Sequence, residues 1–276
     1  MIPHFLLYLK YNIKKERFTL RYKILTLITF CISFLLSSCA VAINDIRPNQ
    51  PAFAQVQSTV ELLVYECKKT KDKKEECSLN SKGVKVAFGS GTFFTYKNNS
   101  AFLSAGHVCL GPVYGIWNSL PNNSRVKTEI VLKSYTGKEI RGKIKYVNLK
   151  YDLCIIETDK NTGLKNIPKI SFIKPRLNSK FYSISAPFSI FHVGVVPVLE
   201  GRFFGDHKIF SFYSIPAGPG ASGGPIYNSS NQIVGIVQRT HGYFPEISLS
   251  IKHKDLIDCL DYYLDMKKEQ IEILIE

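Results

Sequence analysis

The sequence holds no CxxC pair and no close His/Cys spacing of the kind that encloses zinc, so no metal site is expected. Internal repeats and low-complexity tracts are also missing, and no nucleic-acid-binding motif accompanies the formal charge of +14, so nucleic acid is not read as a partner. The low hydrophobicity that marks disorder is absent as well. With 45% hydrophobic residues in 276, the chain is expected to fold around one large or two small cores. The apolar run near the N-terminus, ILTLITFCISFLL at 24–36, is too short for a comfortable membrane span.

What surrounds that run gives it a different meaning. Lys10, Lys14, Lys15, Arg17, Arg21 and Lys23 precede it, and Ser37, Ser38 and Cys39 follow it, which is the pattern of an export signal. Leu36-Ser37-Ser38 before Cys39 also resembles the bacterial lipobox, after which the signal is cut and the cysteine takes up lipid. The alternative is an uncleaved signal anchor. Either way the rest of the chain is expected outside the cytoplasm, tethered at a bacterial cell envelope. Cleavage before Cys39 removes six cations and Glu16 and lowers the formal charge from +14 to +9. That surplus suits an anionic lipid surface or acidic substrates. Residues 1–38 are therefore read as the signal and 39–55, with two prolines and little periodicity, as a spacer.

Of seven cysteines, five remain once Cys31 leaves and Cys39 is lipidated, so at least one stays unpaired or pairs with another chain. Cys67 and Cys77 flank the charged run KKTKDKKEE (68–76), read as a solvated loop, and are the candidate bridge; two free thiols are the alternative. Cys109, Cys154 and Cys259 lie in apolar surroundings and read as buried small hydrophobes.

The body of the chain alternates short β-prone segments with turns. One set covers 56–66, 84–96, 100–105, 128–135, 139–148 and 152–158. After a Pro-containing crossover, a second covers 180–186, 193–204, 208–215, 225–228, 232–239 and 244–251. Six and six segments predict an all-β protein of two antiparallel barrels, at 56–165 and 166–250. Only 251–276 departs from this, where Leu256, Ile257, Leu260, Tyr263 and Leu264 recur at helical spacing and predict a C-terminal helix packed on the body.

One turn stands out. GPGASGGPIYN (218–228) wraps Ser222 in glycine and proline, a composition that by itself marks only a turn. Upstream, His107 follows an apolar strand at the small-residue turn Ser104-Ala105-Gly106, and Asp152 opens the strand DLCIIET. Taken singly, each residue has a structural explanation. Together they form a base, a carboxylate and a hydroxyl, each at the end of an expected element. The pattern Gly220-Ala-Ser-Gly-Gly224 also fits the nucleophile elbow of α/β-hydrolases. That fold needs a helix after the serine and the chain order Ser, acid, His, and neither condition is met.

The motifs GSGTFF, LSAGHVC, YDLCII and PAGPGASGGPI resemble the trypsin-like serine peptidase superfamily, and within it the compact bacterial HtrA/Deg type, over about residues 56–250. The resemblance implies two six-stranded antiparallel barrels and a catalytic triad of His107, Asp152 and Ser222. A serine hydroxyl needs an adjacent base, so His107 would accept its proton while Asp152 holds the ring's tautomer. The amides of Gly220 and Ser222 would meet the oxyanion. Aligned without gaps, the specificity pocket has Pro216 at its base and Gln238, Arg239 and Thr240 as its far wall. No carboxylate appears there, which argues against Lys or Arg preference, and Arg239 with His241 would favour an acidic residue before the cut bond.

Two departures from the family follow. Ala221 replaces the aspartate that pairs with a freed N-terminus in digestive members, so activation by that route is not expected. The bacterial branch usually carries a PDZ domain after the protease, whereas this chain ends soon after the helix, so peptide sensing of that kind is not expected. The reading is a serine endopeptidase acting on protein or peptide substrates without metal or organic cofactor. An inactive binding or adhesion module, or an esterase or transferase on the same barrels, are the alternatives.

Overall fold

The computed structural model describes residues 49–69, 75–120, 122–158, 164 and 166–268. The export signal, Cys39 and the first part of the spacer lie outside them. The first barrel contains β1 (Phe53–Lys69), β2 (Glu75–Tyr96), β3 (Asn99–Ser104), β4 (Ser124–Ser134), β5 (Glu139–Asn148) and β6 (Leu153–Thr158). The second contains β7 (Lys180–Ile184), β8 (Val198–His207), β9 (Phe210–Tyr213), β10 (Pro225–Tyr227), β11 (Ile233–His241) and β12 (Phe244–Ile251). Both sheets close, in the orders β1-β2-β3-β6-β5-β4 and β10-β11-β12-β9-β8-β7, with antiparallel pairs throughout the ladders. The expected all-β, two-barrel fold is the one observed.

Period-two patterning decides which residues fill each barrel. On β1, Val56, Ser58 and Val60 are buried while Gln57 is exposed, and on β4 Leu132 and Ser134 are buried on either side of exposed Lys133. Phe93, Phe102, Leu103, Leu132, Ile155 and Ile156 fill the first core. Phe181, Phe203, Tyr213, Ile226 and Val234 fill the second, where the Phe181 and Tyr213 rings meet edge-on at 5.4 Å.

Two short elements were not legible as periodicity. Helix α1 (Gly106–Leu110) follows β3, and a 3-10 segment continues it over Gly111–Ser119. Neither is long enough to show a helical stripe. Helix α2 (His253–Lys268) is the expected C-terminal helix, and it packs against Tyr96, Tyr146 and Glu157 of the first barrel while also meeting β11 of the second. Leu256, Leu260, Tyr263 and Leu264 are buried there, and Ile257 is half-buried. The Tyr263 hydroxyl donates to Glu157 Oε1 at 2.8 Å, and Tyr96 and Lys97 both donate to Asp261 Oδ1, at 2.8 and 2.6 Å.

The β1–β2 hairpin is longer than expected. β1 begins at Phe53 inside the region read as spacer, and both strands run on into the charged segment read as a loop, where Lys68 pairs with Glu76 and Lys69 with Glu75. The opposite charges of Lys68 and Glu76 on facing positions, together with a disulfide between Cys67 and Cys77, extend the ladder through residues of low strand propensity. Cys109 and Cys154 correct a second expectation. They are buried, but they are bonded to each other, tying α1 to β6. Their sequence separation of 45 left no local sign of the pairing. Among the described residues Cys259 is the free cysteine, buried on the inner face of α2.

Candidate active site

His107 stands on α1 and Asp152 at the entry to β6, adjacent because β3 and β6 are paired, with Ser104 opposite Cys154. Asp152 adopts φ +48, a left-handed conformation that aspartate tolerates better than most residues, and its side chain is 6% exposed. Both of its oxygens are engaged by one residue. Oδ1 accepts the backbone N–H of His107 and Oδ2 meets the ring Nδ1, each at 2.8 Å. A carboxylate only accepts, so Nδ1 carries the proton and Nε2 is left as a lone-pair acceptor. Burial pushes the Asp152 carboxyl up, but the hydrogen bonds and charge of His107, with the nearby Tyr114 hydroxyl, outweigh it and hold the group below its ordinary value.

Ser222 sits in the turn before β10, and a network from both barrels fixes that turn. Ser90 N–H donates to Ser222 O at 2.7 Å, Gly223 N–H to Val237 O at 2.6 Å, and Ser90 Oγ to Gly220 O at 2.7 Å. Glycine is required here on geometric grounds. Gly220 has φ +92 and an added Cβ would lie 2.6 Å from Ala186 O; at Gly223, φ +86, the Cβ would lie 2.0 Å from Ser90 O. The carbonyl of Pro219 accepts from Phe188 N–H at 2.6 Å, which turns the Gly220 N–H to the opposite side of that planar peptide. Among the described residues, neither the Gly220 nor the Ser222 amide donates to a protein acceptor.

His107, Asp152 and Ser222 line one cleft of about 470 Å³, with Tyr114, Ala217, Gly218, Pro219 and Val237 through Thr240. The structure therefore brings together the three residues singled out in the sequence. The serine hydroxyl donates to Gln238 O at 3.2 Å, and no hydrogen bond joins it to the His107 ring among the described residues. Two pocket expectations change. Pro216 is exposed and does not line the cleft, whose near wall starts at Ala217. Arg239 lines it with its guanidinium over the Phe210 ring at 5.0 Å, whereas His241 is not among the lining residues.

Three contributors were not foreseen in these roles. Ser90, within the GSG motif, braces the serine turn from the first barrel. Gln238, expected only as pocket wall, is 2% exposed and sends its Nε2 to the carbonyls of Tyr151 and Asp152 while its own carbonyl holds Ser222. Tyr114 donates to Leu149 O at 2.6 Å and sets its ring edge against His107 at 6.1 Å. Burial and the Asp152 charge push its phenol up. Nothing in its sequence context distinguishes it from any tyrosine after a helix.

Two six-stranded barrels with a serine, a histidine and an aspartate in one cleft define the architecture of a chymotrypsin-type hydrolase. A model of the trypsin-like peptidase domain family matches residues 89–236, and the chain belongs to that family. Among solved structures, the serine endoprotease from Yersinia pestis is similar, with a TM-score of 0.54 and 17% identity over 82% of this chain and 67% of that one. At that identity the likeness is one of fold. No curated protein matches the chain.

The orientation of the Gly220 amide has a direct test. Gly220→Ala places a methyl group against Ala186 O and removes the left-handed conformation, so the peptide must turn. Turnover of a peptide substrate is expected to fall by about 100- to 1,000-fold, the effect of losing one oxyanion donor, with less change in KM. Undiminished kcat would show that the Gly220 amide takes no part.

Proposed function

We propose that this chain is a serine endopeptidase whose acyl-enzyme forms on Ser222. The observation that carries the proposal is the doubly hydrogen-bonded His107–Asp152 pair, whose free Nε2 shares a cleft with Ser222. In the cycle, His107 Nε2 takes the Ser222 proton as Oγ attacks the scissile carbonyl, and the Gly220 and Ser222 amides receive the oxyanion. The proton passes to the leaving amine, and water then hydrolyses the acyl ester with His107 again as base. In the resting geometry the hydroxyl bonds Gln238 O; a change of staggered rotamer is what would present it to the base, as resting enzymes often hold loose catalytic contacts.

The same resting geometry favours a second reading, a peptidase fold retained as a binding module. Fluorophosphonate labelling of the purified chain distinguishes the two. An adduct located on Ser222 by mass spectrometry, absent from Ser222→Ala and His107→Ala, is the expected result. A folded wild-type protein that stays unlabelled would move the binding module to the front.

We also place the domain outside the cytoplasm, held at the bacterial envelope through lipid on Cys39. The two disulfides of the described residues support this, since such bonds persist in oxidising compartments. The substrates are then proteins or peptides at that surface.

A further inference from the structure

The long β1–β2 arm leaves part of a sheet edge open. β2 pairs with β1 from Glu75 to Thr92, but its other edge pairs with β3 only from Gly91 to Tyr96. Ahead of that lies Ser90, whose N–H and C=O are both turned away from β1, the first to Ser222 O and the second to Ser104 Oγ. Peptide groups alternate between the two edges of a strand, so the N–H and C=O of Phe88, Val86 and Val84 point to that same outer edge. No hydrogen bond to them exists outside the β1 ladder among the described residues. Their side chains share a face and are unusually exposed for their type, at 50%, 48% and 54%. Long, apolar open edges are normally covered or charged, because they pair with any extended chain that meets them.

The edge also runs directly into the reaction site. Ser90 bonds the backbone of Ser222, and a Cβ on Gly89 would lie 3.0 Å from Ser222 O. The wall of the cleft beyond Ser222 is made by 217–219 and 237–240 and contains no residue of β2. A substrate whose residue before the cut occupies that cleft would leave Ser222 on the β2 side. We propose that the open β2 edge from Phe88 to Val84 is an extended docking strip for the part of the substrate that follows the scissile bond. That segment lies antiparallel to β2 as an added strand, with an apolar side chain at every second position beside Phe88, Val86 and Val84. The Cys67–Cys77 bridge holds the far end of the arm in register. The occupant is thus the substrate itself, an unfolded or extended apolar segment. The inference rests on the peptidase reading above.

Binding is measured separately from turnover so that the two ideas fail separately. Fluorescent peptides are titrated onto the Ser222→Ala chain by anisotropy. One carries six residues after the bond with valine at alternate positions, one stops two residues after it, and one is the long peptide N-methylated at the residues that would pair with the edge. The long peptide is expected to bind at least about tenfold tighter than the short one, with the methylated peptide equal to the short one. Val84→Lys with Val86→Lys is expected to abolish that advantage while leaving binding of the short peptide unchanged. Equal affinity for the long, short and methylated peptides would overturn the proposal. So would elution of the wild-type chain as a dimer that the two lysines convert to a monomer, because the edge would then belong to a second copy. Binding of the long peptide by a chain that cleaves nothing would keep the strip and reject the peptidase.

Discussion

Asp152→Asn should lower turnover by about four orders of magnitude while the chain stays folded. The reason lies in how Asp152 is used. Both carboxylate oxygens accept from His107, one from the backbone N–H and one from the ring, so an amide can satisfy only one of the two. If its oxygen keeps the backbone bond, its NH2 faces the ring, and Nδ1 must become an acceptor. The proton then moves to Nε2, and the base that Ser222 needs is gone. Steady-state kinetics with near-UV circular dichroism as the control would measure this. Retention of more than a tenth of wild-type kcat would remove His107 and Asp152 from the roles given to them. The same substitution alters acid stability in a definite direction. Because the folded carboxyl sits below its unfolded value, its ionised form adds stability above about pH 4 that is lost as pH falls through the folded value. The asparagine chain lacks that acid-sensitive part.

The second large effect concerns stability. Replacing Cys109 and Cys154 together with alanine opens a bridge of sequence separation 45, for which the chain-entropy estimate is about 4 kcal/mol. In a domain of this size the midpoint of thermal unfolding should fall by roughly 8 to 16 °C. Opening Cys67–Cys77, of separation 10, should cost less, about 2.5 kcal/mol, since the loop it closes is shorter. The larger bridge also joins α1, which carries His107, to the strand entered at Asp152, so the alanine pair should reduce kcat below the melting temperature as well. Calorimetry with thiol counting decides the matter. A midpoint within a degree or two of wild type would mean that the bridge does not form in solution.

Much of this was legible because strands such as β1, β4 and β8 alternate with a period of two, the short apolar strands are bounded by turn residues, and the glycines at 220 and 223 are needed where they stand. The residues His107, Asp152 and Ser222 could be named because each ends an element that patterning had already placed. What could not be read depends on pairs far apart in sequence. Cys109 and Cys154 look like ordinary buried residues until β3 and β6 are laid side by side. The reach of β2 back to Glu75 runs through SLNSKG, which has little strand propensity of its own and is held by its partner strand and the Cys67–Cys77 bridge. Gln238 donates to the carbonyls of Tyr151 and Asp152 and accepts from the Ser222 hydroxyl, linking the two barrels in a relation that no local pattern encodes.

Helix α2 closes over the first barrel although it follows the second in the chain. During synthesis the faces of Tyr96, Tyr146 and Glu157 must wait for Leu260, Tyr263 and Asp261 to emerge, and the whole second barrel lies between. At ordinary elongation rates that interval is on the order of ten seconds. The nascent N-terminal half therefore spends that time with part of its apolar surface unclaimed and with Ser222 not yet added.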